Sequence, residues 1–187
     1  MEILSTTQMV DIMIYTLLEP KHPLLLSPLP VITADTEPED RKEILDNMIE
    51  TMKQYGGIGL SANQVGLALR MFVYGDNTHY VPCFNPKILE YGGPEVAIEE
   101  GCLTYPGLFV KIYRPEWIIA EWEDENRELH KENFTGLQSR VFQHEYDHMQ
   151  GIDFQSRAGK VSLDMAKRKV KKAMRKMKKM RENGELT

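Results

Sequence analysis

The clearest helical pattern along the chain lies at Ile44, Leu45, Met48, Ile49 and Met52, which recur at the spacing of one buried stripe. Thr36-x-x-Glu39 reads as a capping box with Pro38 in the first turn, and Gly56-Gly57 as the stop, so a helix is predicted from near residue 36 to these glycines. A second capping box, Thr135-x-x-Gln138, opens a helix that runs to about Gln150 and ends at Gly151. A third helix is predicted over residues 162–181, with Ala166, Val170, Ala173, Met174 and Met177 on one stripe and lysines elsewhere. Between the first two helices the pattern shortens into candidate strands at 69–74, 80–84, 95–99, 109–113 and 117–122, with Asp124-Glu125-Asn126 as a hairpin tip. Gly, Pro, Asn and Asp turns at close intervals favour antiparallel pairing over crossover connections. Residues 1–35 show no clear period, and no internal repeat is found. The pattern predicts an α+β fold: small antiparallel sheets packed around one buried helix.

Composition narrows the class. With 187 residues, 42% hydrophobic and 27% charged, the chain suits one ordinary domain and is too apolar for a disordered one. The longest apolar stretch, residues 24–32, is interrupted by Ser27, Pro28 and Pro30 and is far short of the roughly 20 residues a membrane span needs. No basic region precedes an apolar run at Met1-Glu2, and Cys83 and Cys102 do not make a disulfide framework, so a cytoplasmic protein is expected, with an organellar one not excluded. Charge changes the picture more. The net charge of −5 divides into −13 over residues 1–159 (12 Lys/Arg, 25 Asp/Glu) and +8 over residues 160–187 (11 Lys/Arg, 3 Asp/Glu). An acidic body with a basic tail points toward nucleic acid or another anionic surface. The expected organisation is a catalytic domain over 1–160 and a basic amphipathic helix and tail over 161–187, in the same domain or appended to it.

The candidate chemistry sits on the second helix. Leu137, Val141, His144, Glu145 and His148 fall at i, i+4, i+7, i+8 and i+11, so one face is apolar at its start and carries His144-Glu145-Tyr146-Asp147-His148 at its end. In this H-E-x-x-H pattern two imidazoles one turn apart can grip one metal ion, and the adjacent glutamate can reach water activated by it. A third ligand is needed. A metzincin-type continuation has Gly151 in place but Phe154 where histidine is required, and Asp164 stands at the edge of the lysine-rich segment. An upstream ligand is favoured, and Cys102, preceded by Gly101, is the candidate. A Cys-His-His set suits Fe(II), Zn(II), Co(II) or Ni(II). Cys83 reads as a buried apolar residue.

Three segments in order, GIGLSANQ at 57–64, EGCLT at 100–104 and QHEYDH at 143–148, resemble the motifs of the peptide deformylase family: G-Φ-G-Φ-A-A-x-Q (Φ apolar), E-G-C-L-S and Q-H-E-x-D-H. The resemblance runs from about residue 24 to 155, with Ser61 in place of the first alanine and Thr104 in place of the final serine. It implies a deformylase-like fold with Cys102, His144 and His148 as metal ligands, Fe(II) as the native ion, and Glu145 as catalytic acid/base. Gln64 and the Leu103 N–H correspond to oxyanion donors. Ile58, Gly59 and Gly101 correspond to backbone positions that pair with the substrate peptide, and Ile98, Leu137, Val141 and His144 to the pocket for a methionine side chain. The implied reaction is removal of the formyl group from N-formylmethionyl peptides with release of formate. The basic helix resembles those that dock some bacterial deformylases near the ribosomal exit tunnel. A monomer is expected. A metalloprotease would instead need a third ligand after His148, and an inactive relative would lack a ligand or the base; none is missing here.

Overall fold

The computed structural model describes residues 12–76 and 78–183. The first eleven residues, where the N-terminal reading falls, and the last four of the expected tail lie outside the described residues. The elements are α1 (Arg41–Gln54), β1 (Gly59–Ser61), β2 (Met71–Gly75), β3 (Tyr80–Gly101), β4 (Phe109–Glu123), β5 (Leu129–Thr135), α2 (Gly136–Met149) and α3 (Lys160–Glu182). The strands form one antiparallel sheet in the order β1-β2-β3-β4-β5, so among the described residues β1 pairs only with β2 and keeps an open edge.

Helix α1 starts later than its sequence suggests. The Thr36 hydroxyl accepts from the Thr33 N–H at 2.8 Å in a separate turn, and Asp40 caps the helix by accepting from the Glu43 N–H at 2.9 Å. Pro38 also disfavours helical backbone at Glu37. The box at Thr135 is likewise not formed: Thr135 occupies the N-cap position without a side-chain bond while still paired with Trp117 across the sheet. The predicted strands at 80–84 and 95–99 are parts of β3, and those at 109–113 and 117–122 are parts of β4. Strands β1 and β5 were not foreseen; the hairpin tip at Asp124 was, its Oδ1 accepting from the N–H groups of Asn126 and Glu128.

Helix α2 lies across the sheet. Phe142 and Met149 are fully buried against Phe72, Ile118 and Ala120, with Phe72 and Phe142 meeting edge to face at 5.0 Å. A second apolar cluster joins Met48 and Met52 of α1 to Leu60, Met71 and Val73. Helix α2 ends as predicted at Gly151, whose φ of 68° is the left-handed turn glycine tolerates; a methyl there would stand 2.7 Å from the Ser27 backbone. Helix α3 rests on the body only by its first half: Leu163, Ala166 and Val170 pack on a cluster of Cys102, Leu108, Val110, Ile112 and Phe154. Met174 and Met177, expected on the packed stripe, are 58% and 50% exposed, because the helix runs past the body.

Candidate metal centre and cavity

The H-E-x-x-H residues project from α2 toward the end of β3, where Gly101 leads into a turn closed by the Tyr105 N–H donating to the Cys102 carbonyl at 2.8 Å. There Cys102 Sγ lies 3.4 Å from His148 Nε2, and one donor atom from each of Cys102, His144 and His148 falls within 4.8 Å of the others. A tetrahedral ion with a metal–sulfur bond of about 2.3 Å and metal–nitrogen bonds of about 2.0–2.1 Å needs sulfur–nitrogen separations of roughly 3.5 Å. The three side chains fit that requirement. Phe154, at the position where a metzincin would place histidine, is an apolar wall with its ring 5.6 Å from that of His144.

The two imidazoles sit in different electrostatic surroundings. His144 Nδ1 is 2.9 Å from Glu100 Oε2, which leaves Nε2 for an ion. Burial disfavours the charged form of His144, yet Cys102 and Glu100 outweigh it and raise its pKa to about 10. Burial, aided by His144 and Arg114, lowers the pKa of His148 to about 3, so its imidazole is neutral and offers a lone pair. Burial raises the pKa of the Glu145 carboxyl, as a proton acceptor working near neutrality requires. For Glu100, burial is outweighed by His144 and Arg114, and its pKa lies well below the carboxylate range.

Cys102, His144 and Glu145 line a cavity of about 510 Å³ whose wall also includes Ile58, Gly59, Gln64, Ile98, Gly101, Leu103, Leu137 and Val141. Every residue to which the family resemblance gives a site role, except His148, lies on this wall, and His148 Nε2 is 3.4 Å from Cys102 Sγ. Gln64 is held by its Oε1 accepting from the Ser61 N–H at 2.9 Å, while its Nε2 donates to Thr104 Oγ1 at 3.0 Å and points at Cys102 Sγ. Ile58 and Leu137 form a half-open rim. Gly59 of β1 lines the cavity, and a methyl there would overlap Glu145 Oε1. Sequence reasoning missed the support behind the ligands. Glu100 accepts from Arg114 Nε and Nη2 at 2.7 and 3.0 Å and from Arg140 Nη1 at 2.8 Å, and Asp147 accepts from Arg114 Nη1 at 2.7 Å and Arg157 Nη2 at 2.6 Å. The acid beside Gly101 was a visible signal; its arginine partners were not.

A buried thiol and two imidazoles beside a glutamate, at the floor of a cavity flanked by a free strand edge, define a metal-dependent hydrolase of peptide-like substrates. Comparison with known proteins gives the family. A sequence model of polypeptide deformylase matches residues 14–164. A peptide deformylase of Thermotoga maritima is 41% identical over 114 residues, covering 61% of this chain and 70% of that protein. The chloroplastic/mitochondrial peptide deformylase 1B of Arabidopsis thaliana is 36% identical over 132 residues, covering 67% of this chain and 48% of that protein. The crystal structure of the Thermotoga maritima enzyme superposes with a TM-score of 0.73 at 36% identity, over 78% of this chain and 98% of that one. The chain belongs to the polypeptide deformylase family, metal-dependent hydrolases that remove the N-terminal formyl group from nascent peptides. Its relatives are bacterial and organellar, and among the described residues no helix is long and apolar enough to cross a membrane.

Proposed function

We propose that the chain deformylates N-formylmethionyl peptides in the cytoplasm as a monomer, with Cys102, His144 and His148 holding one Fe(II) and Glu145 moving the proton. The observation that carries this reading is the convergence of the three donor atoms at the place where Cys102, His144 and Glu145 line the cavity. When bound, the ion supplies Lewis acidity and lowers the pKa of water enough to furnish hydroxide near neutrality. Zn(II), Ni(II) or Co(II) suit the same donors.

The peptide lies along the open edge of β1, pairing with Ile58, Gly59 and Gly101 as an added strand. Its methionine side chain enters the apolar wall made by Ile98, Leu137 and Val141, beside His144. As the formyl carbon is attacked, charge gathers on its oxygen. Gln64 Nε2 and the Leu103 N–H donate to that oxygen, and removing one such donor typically slows a reaction by roughly 10²–10³. Glu145 accepts the proton of the attacking water and passes it to the departing amine, which leaves as formate is released. The test is formate release from formyl-Met-Ala-Ser by protein purified anaerobically with Fe(II). Fast release that is lost in Glu145→Ala supports the reading; no release from folded, metal-loaded protein refutes it.

The basic helix is read as a ribosome contact. Ten Lys/Arg lie between Lys167 and Arg181, and α3 carries no buried residue. Such a surface binds phosphate backbones with strong salt dependence and little sequence preference.

A further inference from the structure

Ser61 stands where the family motif carries alanine, and it is fully buried at the end of β1. Its hydroxyl donates to Glu145 Oε2 at 2.5 Å and lies 3.4 Å from the Glu145 carbonyl oxygen. Its own N–H donates to Gln64 Oε1 at 2.9 Å. One residue thus touches both side chains to which proton transfer and oxyanion stabilisation are assigned. Among the described residues, the Ser61 bond is the one hydrogen bond made to the Glu145 carboxylate.

We propose that Ser61 is a positioning residue for Glu145, fixing the plane of its carboxylate so that Oε1 faces the cavity; this rests on the role given to Glu145 above. The terminal torsion of a glutamate is broad, so a carboxylate without a partner samples many orientations. A short O–H donor to a charged oxygen is among the stronger hydrogen bonds and removes that freedom. The donor is itself immobile, because Ser61 pairs with Phe72 across the sheet and its N–H is tied to Gln64. With Oε2 held by Ser61, Oε1 lies against Gly59 on the cavity wall. The proton balance leaves Ser61 unchanged. Oε1 takes the water's proton and Oε2 becomes the carbonyl oxygen of the acid, still accepting the same O–H. When the proton passes to the amine, the carboxylate returns to its starting form. The gain is orientation held before the reaction begins.

The test compares Ser61→Ala, which is smaller and keeps the strand, with the parent chain loaded with Fe(II). For formyl-Met-Ala-Ser, kcat is expected to fall about tenfold, the scale of one hydrogen bond to a charged group, with KM and metal content unchanged. The Glu145 carboxylate stretch, assigned in infrared difference spectra as the band lost in Glu145→Gln, should shift in Ser61→Ala. In a Glu145→Asp background the shortened carboxylate is out of reach of Ser61, and adding Ser61→Ala should cause no further loss. Parent-like kcat in Ser61→Ala, the same loss in both backgrounds, or an unmoved band would overturn the proposal. Full turnover by Glu145→Gln would instead sink the proposed function beneath it.

Discussion

Glu100→Gln is the most informative single change behind the ligands. The carboxylate is buried, and so are its partners Arg114 and Arg140, 4% and 5% exposed. It receives four hydrogen bonds, two from Arg114 and one each from Arg140 and His144. Glutamine keeps one acceptor oxygen and removes the charge, leaving Arg114 with Asp147 as its carboxylate and Arg140 with the Ile112 and Val96 carbonyls. Removing one member of a buried ion pair costs about 3–5 kcal/mol, far more than a surface pair contributes. Arg114 retains its 2.7 Å bond to Asp147, so the lower end, about 3 kcal/mol, is expected. For a chain of this length that is a fall in Tm of about 6–12 °C. The His144 ring also loses the partner that orients it, which lowers metal affinity about 10- to 100-fold. Thermal unfolding of chelator-treated protein isolates the first effect, and competition against a chromophoric chelator measures the second. If the metal-free variant melts within about 1 °C of the parent, the buried-charge argument is wrong.

Cys102→Ala should abolish stoichiometric metal binding, read by elemental analysis after gel filtration; a protease-type site with its third ligand after His148 would keep its ion. In Gly59→Ala the added methyl overlaps Glu145 Oε1 and reaches Val141 Cγ1 at 3.0 Å, so kcat should drop at least about tenfold, the scale of a lost charged hydrogen bond, while the chain stays folded by circular dichroism. Ending the chain at Lys172 removes Arg175, Lys176, Lys178, Lys179 and Arg181 but keeps Leu163, Ala166 and Val170 on the body. Formate release should persist and co-sedimentation with ribosomes at low salt should weaken; unchanged co-sedimentation would refute the ribosome contact. The Glu37 carboxyl is held below its ordinary pKa by its hydrogen bond from Arg41. Its contribution is therefore complete above the unfolded pKa and lost as pH falls through the lower folded one, so the urea midpoint should decline less between pH 6 and pH 3 in Glu37→Gln than in the parent.

What could be read from the sequence depended on how local each signal was. His144, Glu145 and His148 lie within five consecutive residues of one helix, so spacing alone places them on one face. Cys102 carried no such geometry and emerged through the motif around it. Strand β3 was read as two fragments because Pro86, Gly93 and Pro94 look like breaks. They fall in the gaps where the pairing with β4 shifts register, between Phe84 and Lys87 and between Gly92 and Glu95, so the strand bends there without ending. Ser61 was visible as a departure from the motif, but its partner is 84 residues away. No periodicity reports a contact of that range. The stripe on α3 failed for a different reason: amphipathic spacing shows which face a neighbour would cover, and the body is too short to cover Met174 and Met177.

The support network follows from how deeply α2 is buried. Ten of its fourteen residues are buried, and they include Ser139, Arg140, Gln143, His144, Glu145, Asp147 and His148. An ordinary amphipathic helix leaves its polar face in water; this one turns its apolar side to the sheet and its reactive side to a cavity, with Asp147 on a third side. Each polar group taken from water then needs a partner or loses roughly 1–3 kcal/mol, and more if charged. Even the last carbonyls of the helix need donors, and they find them in Asn63 Nδ2 on His148, and in Arg70 Nη1 and the Leu29 N–H on Met149, at 3.0, 3.2 and 2.9 Å. Glu100, Arg114, Arg157 and Ser61 meet the same requirement on the other sides. Burial that makes Glu145 a better base and His148 a neutral ligand is also what obliges distant strands to supply charges and hydroxyls. The reactive groups and their supports are therefore consequences of one packing decision, and a change to Glu100, which holds a ligand, should be felt in both metal affinity and stability.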